Sequence, residues 1–186
     1  MTSDSTKTVL ITGAARRIGR ALALDLAAHG WQVAVHYHGS ADAAEATVAT
    51  IAQAGGRACA LTADLTDEAQ AAALLARAAK AAGGPISALI NNASVFEQDH
   101  WHDANRHGWD LHMAVNLRAP FMLSQAMARD LPAAMTGAII NIIDQRVWRL
   151  RPDFMTYTLS KSGLWTLTQT LAQALAPRIR VNAIGP

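Results

Sequence analysis

The chain has 186 residues, 51% of them hydrophobic, which is enough apolar material for one domain-sized core. A formal net charge of +2, with no Lys/Arg cluster along one face, argues against nucleic acid as a partner, and no apolar stretch is long enough to span a bilayer. The polar opening Met1–Thr6 lacks the positive region and long apolar core of a secretory signal, and one cysteine, Cys59, excludes an internal disulfide; both fit a cytoplasmic protein.

Short aliphatic runs alternate with Ala/Leu-rich segments at helical spacing. Val9–Ile11 reads as a first strand, leading through a glycine-containing loop to a helix over Arg20–His29 that Gly30 closes. Trp31–His36 is a second strand, Ala41–Ala54 a helix ended by Gly55-Gly56, and Ala58–Thr62 a third strand. The spacing predicts a helix over Asp67–Ala82, N-capped by Thr66 and stopped by Gly83-Gly84-Pro85, then a fourth strand over Ile86–Ile90. A long helix is expected between Asn105 and Asp130, kinked at Pro120. Ala138–Ile143 is a fifth strand, Tyr157–Ala176 a helix and Arg180–Ile184 a sixth strand.

Such βα alternation with near-continuous apolar strands predicts an α/β fold. The expected architecture is a doubly wound, Rossmann-type parallel sheet of six strands, covered on both faces and forming a single domain over residues 1–186. Ligands of such sheets bind at the carboxyl ends of the strands, near the point where strand order reverses. The first βα turn there is Thr12-Gly13-Ala14-Ala15-Arg16-Arg17-Ile18-Gly19. Gly13 permits a tight turn, Gly19 permits close helix packing, and the helix N-terminus offers free N–H groups to a pyrophosphate. Alone, the two glycines also fit a plain strand-to-helix turn.

The second strand sharpens the reading. It ends His36-Tyr37-His38-Gly39-Ser40, without the carboxylate that usually holds the ribose 2′-hydroxyl of NAD. Arg16 and Arg17, with a histidine donor and the Ser40 hydroxyl, suit a 2′-phosphate instead, so NADP is preferred. Strand alternation also puts one of His36 and His38 inward, uncharged and hydrogen-bonded.

Tyr157 and Lys161 are spaced i, i+4, on one face of their helix. A nearby ammonium is expected to favour the phenolate and lower the tyrosine pKa toward a useful range for proton transfer.

With these residues in hand, the whole chain resembles the short-chain dehydrogenase/reductase family. The marks are Thr12-Gly13 with Arg17 and Gly19, Asp64, Asn91-Asn92-Ala93, Asn116, Tyr157 with Lys161, and Val181-Asn182 before Gly185-Pro186. The resemblance implies that Asp64, with Leu65, meets the adenine, and that Asn91, Ala93, Ser94, Ile18 and Pro186 line the cofactor cleft. It implies that Lys161 holds the nicotinamide ribose and Asn116 anchors a water relay behind it. It also implies a homotetramer paired through the helices around residues 105–130 and 154–176. Members of the family continue beyond the equivalent of Pro186 with a substrate-covering loop and a seventh strand, so the chain reads as C-terminally truncated.

Two departures from the usual family pattern matter. The middle glycine of the first turn is Arg17, and the serine thirteen residues before the tyrosine is Asp144. A carboxylate there would repel a carbonyl oxygen but accept from N–H donors. Both departures resemble the pteridine reductase branch, as do His36-Tyr37-His38-Gly39-Ser40 and Asn91-Asn92-Ala93-Ser94-Val95-Phe96. That resemblance implies that Phe96 stacks a pterin over the nicotinamide, that Arg17 and Ser94 touch pterin or phosphate, and that Asp144 with Tyr157 supplies the proton accompanying hydride transfer. The expected activity is NADPH-dependent reduction of a pterin or dihydropterin. The alternatives are reduction of another carbonyl or imine, and a non-catalytic NADP-binding role. Gly39, where branch members often carry arginine, softens the NADP preference.

His100, His102, His107 and His112 match no compact zinc spacing and read as exposed or capping residues rather than metal ligands. Trp101, Trp109, Trp148 and Trp165 read as core, lid or subunit-contact residues. Arg146, Arg149 and Arg151 read as a solvated loop or as a site for an acidic substrate tail.

Overall fold

The computed structural model describes residues 7–186; the opening Met1–Thr6 lies outside them. Strand periodicity divides the apolar residues between two cores. In β1 (Thr8–Ile11), Leu10 enters one core while Val9 and Ile11 enter the other. The same alternation runs through β2 (Gln32–Tyr37) and β4 (Ala88–Asn91), where Ala34 and Leu89 join Leu10 and their neighbours join Val9. Burying each such Leu, Ile or Val contributes about 1.5–3 kcal/mol.

The helices α1 (Arg17–Ala28) and α2 (Ala41–Gln53) cover one face. The other face carries α3 (Glu68–Ala82), α4 (Arg106–Met113), α5 (Ala119–Asp130) and α6 (Met155–Leu175). With β3 (Arg57–Thr62), β5 (Gly137–Ile142) and β6 (Ile179–Ile184), the strands form one six-stranded parallel sheet in the order β3-β2-β1-β4-β5-β6. This is the doubly wound arrangement, with its reversal between β1 and β4.

Several boundaries differ from expectation. The first helix starts at Arg17 rather than Arg20; Arg16, its N-cap residue, makes no side-chain cap bond that could have marked the start. Asp67, not Thr66, caps α3, accepting from the N–H groups of Ala69 and Gln70. The fourth strand begins at Ala88, although the Ser87 N–H already donates to the Thr8 carbonyl and its own carbonyl accepts from Ala138. The expected 105–130 helix divides into α4 and α5 around a π-helical turn, Ala114–Arg118. Pro120 lies just after it, at the second residue of α5, so its missing N–H falls next to the wider π-helical turn. No described helix is long and apolar enough to cross a membrane.

Candidate functional site

The carboxyl ends of β1 and β4 part over a cleft of about 810 Å³. Its floor depends on two glycines. Gly13 has φ +63°, and a Cβ there would lie 2.9 Å from the Ala93 Cα; a Cβ on Gly19 would lie 2.3 Å from the Gly13 carbonyl oxygen. Asn92 ties the strand ends together, its side-chain amide donating to the Thr12 carbonyl at 2.8 Å and the Gly13 carbonyl at 3.1 Å. The cleft is lined by Asn92, Ala93 and Ser94; Asn91 instead lies buried below, its amide donating to Asn141 Oδ1 at 2.8 Å.

The turn is also held from β2. His36 is buried; its Nδ1 accepts the Gly13 N–H at 3.1 Å and its Nε2 donates to the Ala63 carbonyl at 3.1 Å. Burial pushes its pKa down to about 4, so the ring is neutral at ordinary pH. His36 is therefore the inward histidine, and neither ring nitrogen remains for a phosphate. Exposed Arg16, Arg17 and His38 line that end of the cleft, near Asp64 and Leu65, whereas Ser40 sits at the N-cap of α2 outside the lining. Asp64 Oδ1 accepts from both the hydroxyl and the N–H of Thr66, at 2.7 and 2.9 Å, which holds its carboxyl below the usual range. Arg17 adopts φ 51°, a left-handed conformation that costs a non-glycine residue on the order of 1–3 kcal/mol.

At the opposite end, α6 presents Tyr157 and Lys161 one turn apart. The Tyr157 hydroxyl donates to Asp144 Oδ2 at 2.9 Å, while Asp144 Oδ1 accepts the Arg146 N–H at 2.8 Å. Burial, then the hydrogen bond to Asp144, raises the phenol above the ordinary tyrosine range. This reverses the expected lowering: burial first, and then the Asp144 carboxylate, outweigh any pull from the Lys161 ammonium. Lys161 is buried with its Nζ donating to the Ile142 carbonyl at 2.8 Å, and burial brings its pKa down to about 8. The Ser94 hydroxyl acts the other way, drawing the phenol down, by less than burial and Asp144 raise it. Ile18 and Pro186 also line the cleft.

Asn116 sits in the π-helical turn, fully buried. Its amide donates to the Val95 carbonyl at 3.0 Å and Ser160 Oγ at 3.1 Å, and its Oδ1 accepts the Val95 N–H at 2.8 Å. Its side chain thus clamps the segment leading to Phe96. The Phe96 ring meets Tyr157 edge-on at 4.6 Å and stacks on Phe154 at 4.1 Å with an interplanar angle of 2°. Phe154, at φ 56°, is invisible to periodicity, since it stands just ahead of α6 in a conformation aromatics rarely adopt.

The remaining expectations shift too. His112 is fully buried, accepting the Glu97 N–H at 3.1 Å and bonding Thr156 Oγ1 at 2.8 Å, while His107 is exposed. Arg146 is not a solvated residue: it pairs with Asp153 at 3.0 Å and lies over the Phe154 ring at 5.0 Å. Trp101, Trp109 and Trp148 are exposed rather than core residues, and Trp148 packs edge-on against Trp165.

Residues 7–186 match the short chain dehydrogenase family. The crystal structure of FolM alternative dihydrofolate reductase 1 from Brucella suis, in complex with NADP, is 50% identical with a TM-score of 0.93, covering 97% of this chain and 74% of that one. A short chain dehydrogenase from Burkholderia cenocepacia, also in complex with NADP, is 38% identical with a TM-score of 0.91 over 97% of this chain and 73% of that one. The 3-oxoacyl-acyl-carrier-protein reductase FabG of Staphylococcus aureus is 34% identical over 182 residues, 97% of this chain and 74% of its own length.

Proposed function

The chain belongs to the short-chain dehydrogenase/reductase family of oxidoreductases, and from that premise we propose that it uses NADPH to reduce a carbon–nitrogen double bond of a pterin or dihydropterin. The observation that carries this reading is the hydrogen bond from Tyr157 to Asp144, with the Phe96 ring beside it. A flat heteroaromatic ring matches an aromatic platform, and its amino and ring N–H groups match a carboxylate acceptor better than a ketone oxygen does.

The first turn suits a dinucleotide: it packs against neighbouring backbone too closely for a Cβ at Gly13 or Gly19, and no side chain caps the start of α1, where N–H groups can meet a pyrophosphate. Arg16, Arg17 and His38 would hold a 2′-phosphate, Asp64 and Leu65 the adenine, and Lys161 the nicotinamide ribose. NADPH, when bound, supplies hydride to the substrate carbon. The protein's part is the matching proton. The phenol, held strongly protonated, passes its shared proton to the ring nitrogen as the double bond becomes C–H and N–H. Asp144 orients the phenol before transfer, and the Lys161 ammonium stabilises the phenolate left after it.

Reduction of a 3-oxoacyl group is the second reading, favoured by the likeness to FabG. The two separate in one experiment: NADPH oxidation with 7,8-dihydrobiopterin, dihydrofolate, an acetoacetyl thioester and simple ketones, repeated with NADH. Faster turnover of the dihydropterins with NADPH is expected. Turnover of the thioester or ketones alone overturns the pterin reading, and NADPH binding without turnover of any substrate assigns the non-catalytic role.

A further inference from the structure

The helix carrying Tyr157 and Lys161 has an unusual start. Its N-cap residue, Phe154, is left-handed at φ 56° and ψ 51° and makes no side-chain cap bond. The first N–H groups of a helix nonetheless need acceptors. They find them in Asp99, which lies 57 residues away in sequence from Thr156. The Thr156 N–H donates to Asp99 Oδ1 at 3.2 Å and Oδ2 at 3.3 Å, its hydroxyl donates to the same Oδ2, and the Phe154 N–H donates to the Asp99 carbonyl at 2.8 Å.

The bracing continues from Thr156. Its oxygen, having given its proton to Asp99, accepts from His112 Nδ1 at 2.8 Å; His112 Nε2 in turn accepts the Glu97 N–H at 3.1 Å. The chain of bonds starts at Glu97 and returns to Asp99, enclosing the segment that follows Phe96. Its other end fixes Phe154, whose ring stacks on Phe96 at 4.1 Å.

We propose that Asp99 is a positioning residue: by capping α6 from the Phe96 segment, it holds Phe154 in its left-handed conformation behind Phe96 and so sets the aromatic platform's place relative to the Tyr157 hydroxyl. This rests on the platform receiving a flat ring, as in the function proposed above. The physical content is a balance. A left-handed phenylalanine is costly, and the three hydrogen bonds to the Asp99 carboxylate, with one to its carbonyl, offset that cost. An asparagine in place of Asp99 would turn an amide N–H toward the Thr156 donors and lose the balance.

The test has two readouts on Asp99→Asn. In steady-state kinetics with NADPH and 7,8-dihydrobiopterin, the KM for the dihydropterin rises about ten-fold, as expected when one of two charged acceptor oxygens facing Thr156 becomes a donor, while the KM for NADPH stays unchanged. In its crystal structure, Phe154 leaves the left-handed region and the parallel stack with Phe96 is lost. An unchanged dihydropterin KM, an equal rise in the NADPH KM, or an intact stack overturns the proposal. Should the wild type reduce no dihydropterin, the function reading falls by itself, and the crystal structure alone decides the role of Asp99. Should Asp99→Asn not fold, Thr156→Val, which removes only the hydroxyl link, answers through the same two readouts.

Discussion

Tyr157 donates its hydroxyl hydrogen to Asp144 across 2.9 Å, so the phenol proposed as the acid is oriented by a carboxylate. Replacing Asp144 by serine removes the acceptor and its charge together. Asp144→Ser is expected to lower kcat/KM for dihydropterin roughly 10²–10³-fold, in the range of lost acid–base assistance, with NADPH affinity kept. Ketone turnover should hold or rise, because the oxygen-repelling charge is gone. Parallel kinetics on the two substrate types check this, and an equal fall for both would place Asp144 outside substrate choice.

Phe96 is more than half exposed, and its ring joins Tyr157 and Phe154 without contributing much to the core. Phe96→Ala should therefore leave the melting temperature almost unchanged. Loss of a stacking partner should raise the dihydropterin KM about five- to ten-fold. Thermal unfolding and kinetics on the same preparation measure both halves of the statement.

Much of this is legible in the chain itself, and the rest is hidden for definable reasons. Residues whose neighbours are local reveal their place: the Gly13–Gly19 turn, the alternation that sends Leu10 and Val9 into opposite cores, and the Tyr157/Lys161 spacing. Strand alternation even foretells a buried, neutral histidine, which is His36. Residues defined by distant partners stay hidden. Asp99 caps a helix from far along the sequence, and nothing beside Phe154 announces its left-handed backbone. Asn91 and Asn92 are equivalent on paper; only the sheet decides which faces the cleft. The Tyr157 pKa moves opposite to expectation because spacing points to Lys161 and shows neither the burial of the phenol nor its hydrogen bond to Asp144.

Arg17 holds a left-handed backbone at the mouth of the cleft, so function and stability should move in opposite directions there. Arg17→Gly relieves the conformation and should stabilise the fold by up to about 1 kcal/mol. It also removes a guanidinium from the end of the cleft proposed for the 2′-phosphate, so the NADPH KM should rise several-fold while the NADH KM barely changes. Denaturant unfolding with paired cofactor titrations reads both. A variant weakened equally toward NADPH and NADH would deny Arg17 any part in 2′-phosphate recognition.

Lys161 gives the reaction an alkaline limit. Burial lowers its pKa to about 8, so the ammonium beside the Tyr157 ring, proposed to hold the nicotinamide ribose, is lost as pH rises through that value. The kcat/KM for NADPH, which reports the free enzyme, should be level below about pH 8 and fall above it. Lys161→Arg keeps a charge at all these pH values and should abolish that limb, although its planar head fits the Ile142 carbonyl less well and lowers the plateau. A limb that persists in the arginine variant would belong to another group.

His36 makes stability depend on acid. In the folded chain its pKa is lowered from 6.5 to about 4, chiefly by burial. Between those values the unfolded chain binds a proton that the folded chain refuses, so stability is complete above about pH 6.5 and declines as pH falls toward 4. The depression corresponds to about 3 kcal/mol at the bottom of that window, a large share of a typical domain's stability. Urea unfolding at several pH values across the window measures the slope. His36→Asn cannot titrate and should flatten it, at a cost of about 1–3 kcal/mol at neutral pH from the disturbed bonds to Gly13 and Ala63. Because those bonds hold the first turn, the same variant should also weaken NADPH binding at neutral pH, where protonation plays no part. An acid slope that is as steep in His36→Asn as in the wild type would assign the titration to a carboxylate instead.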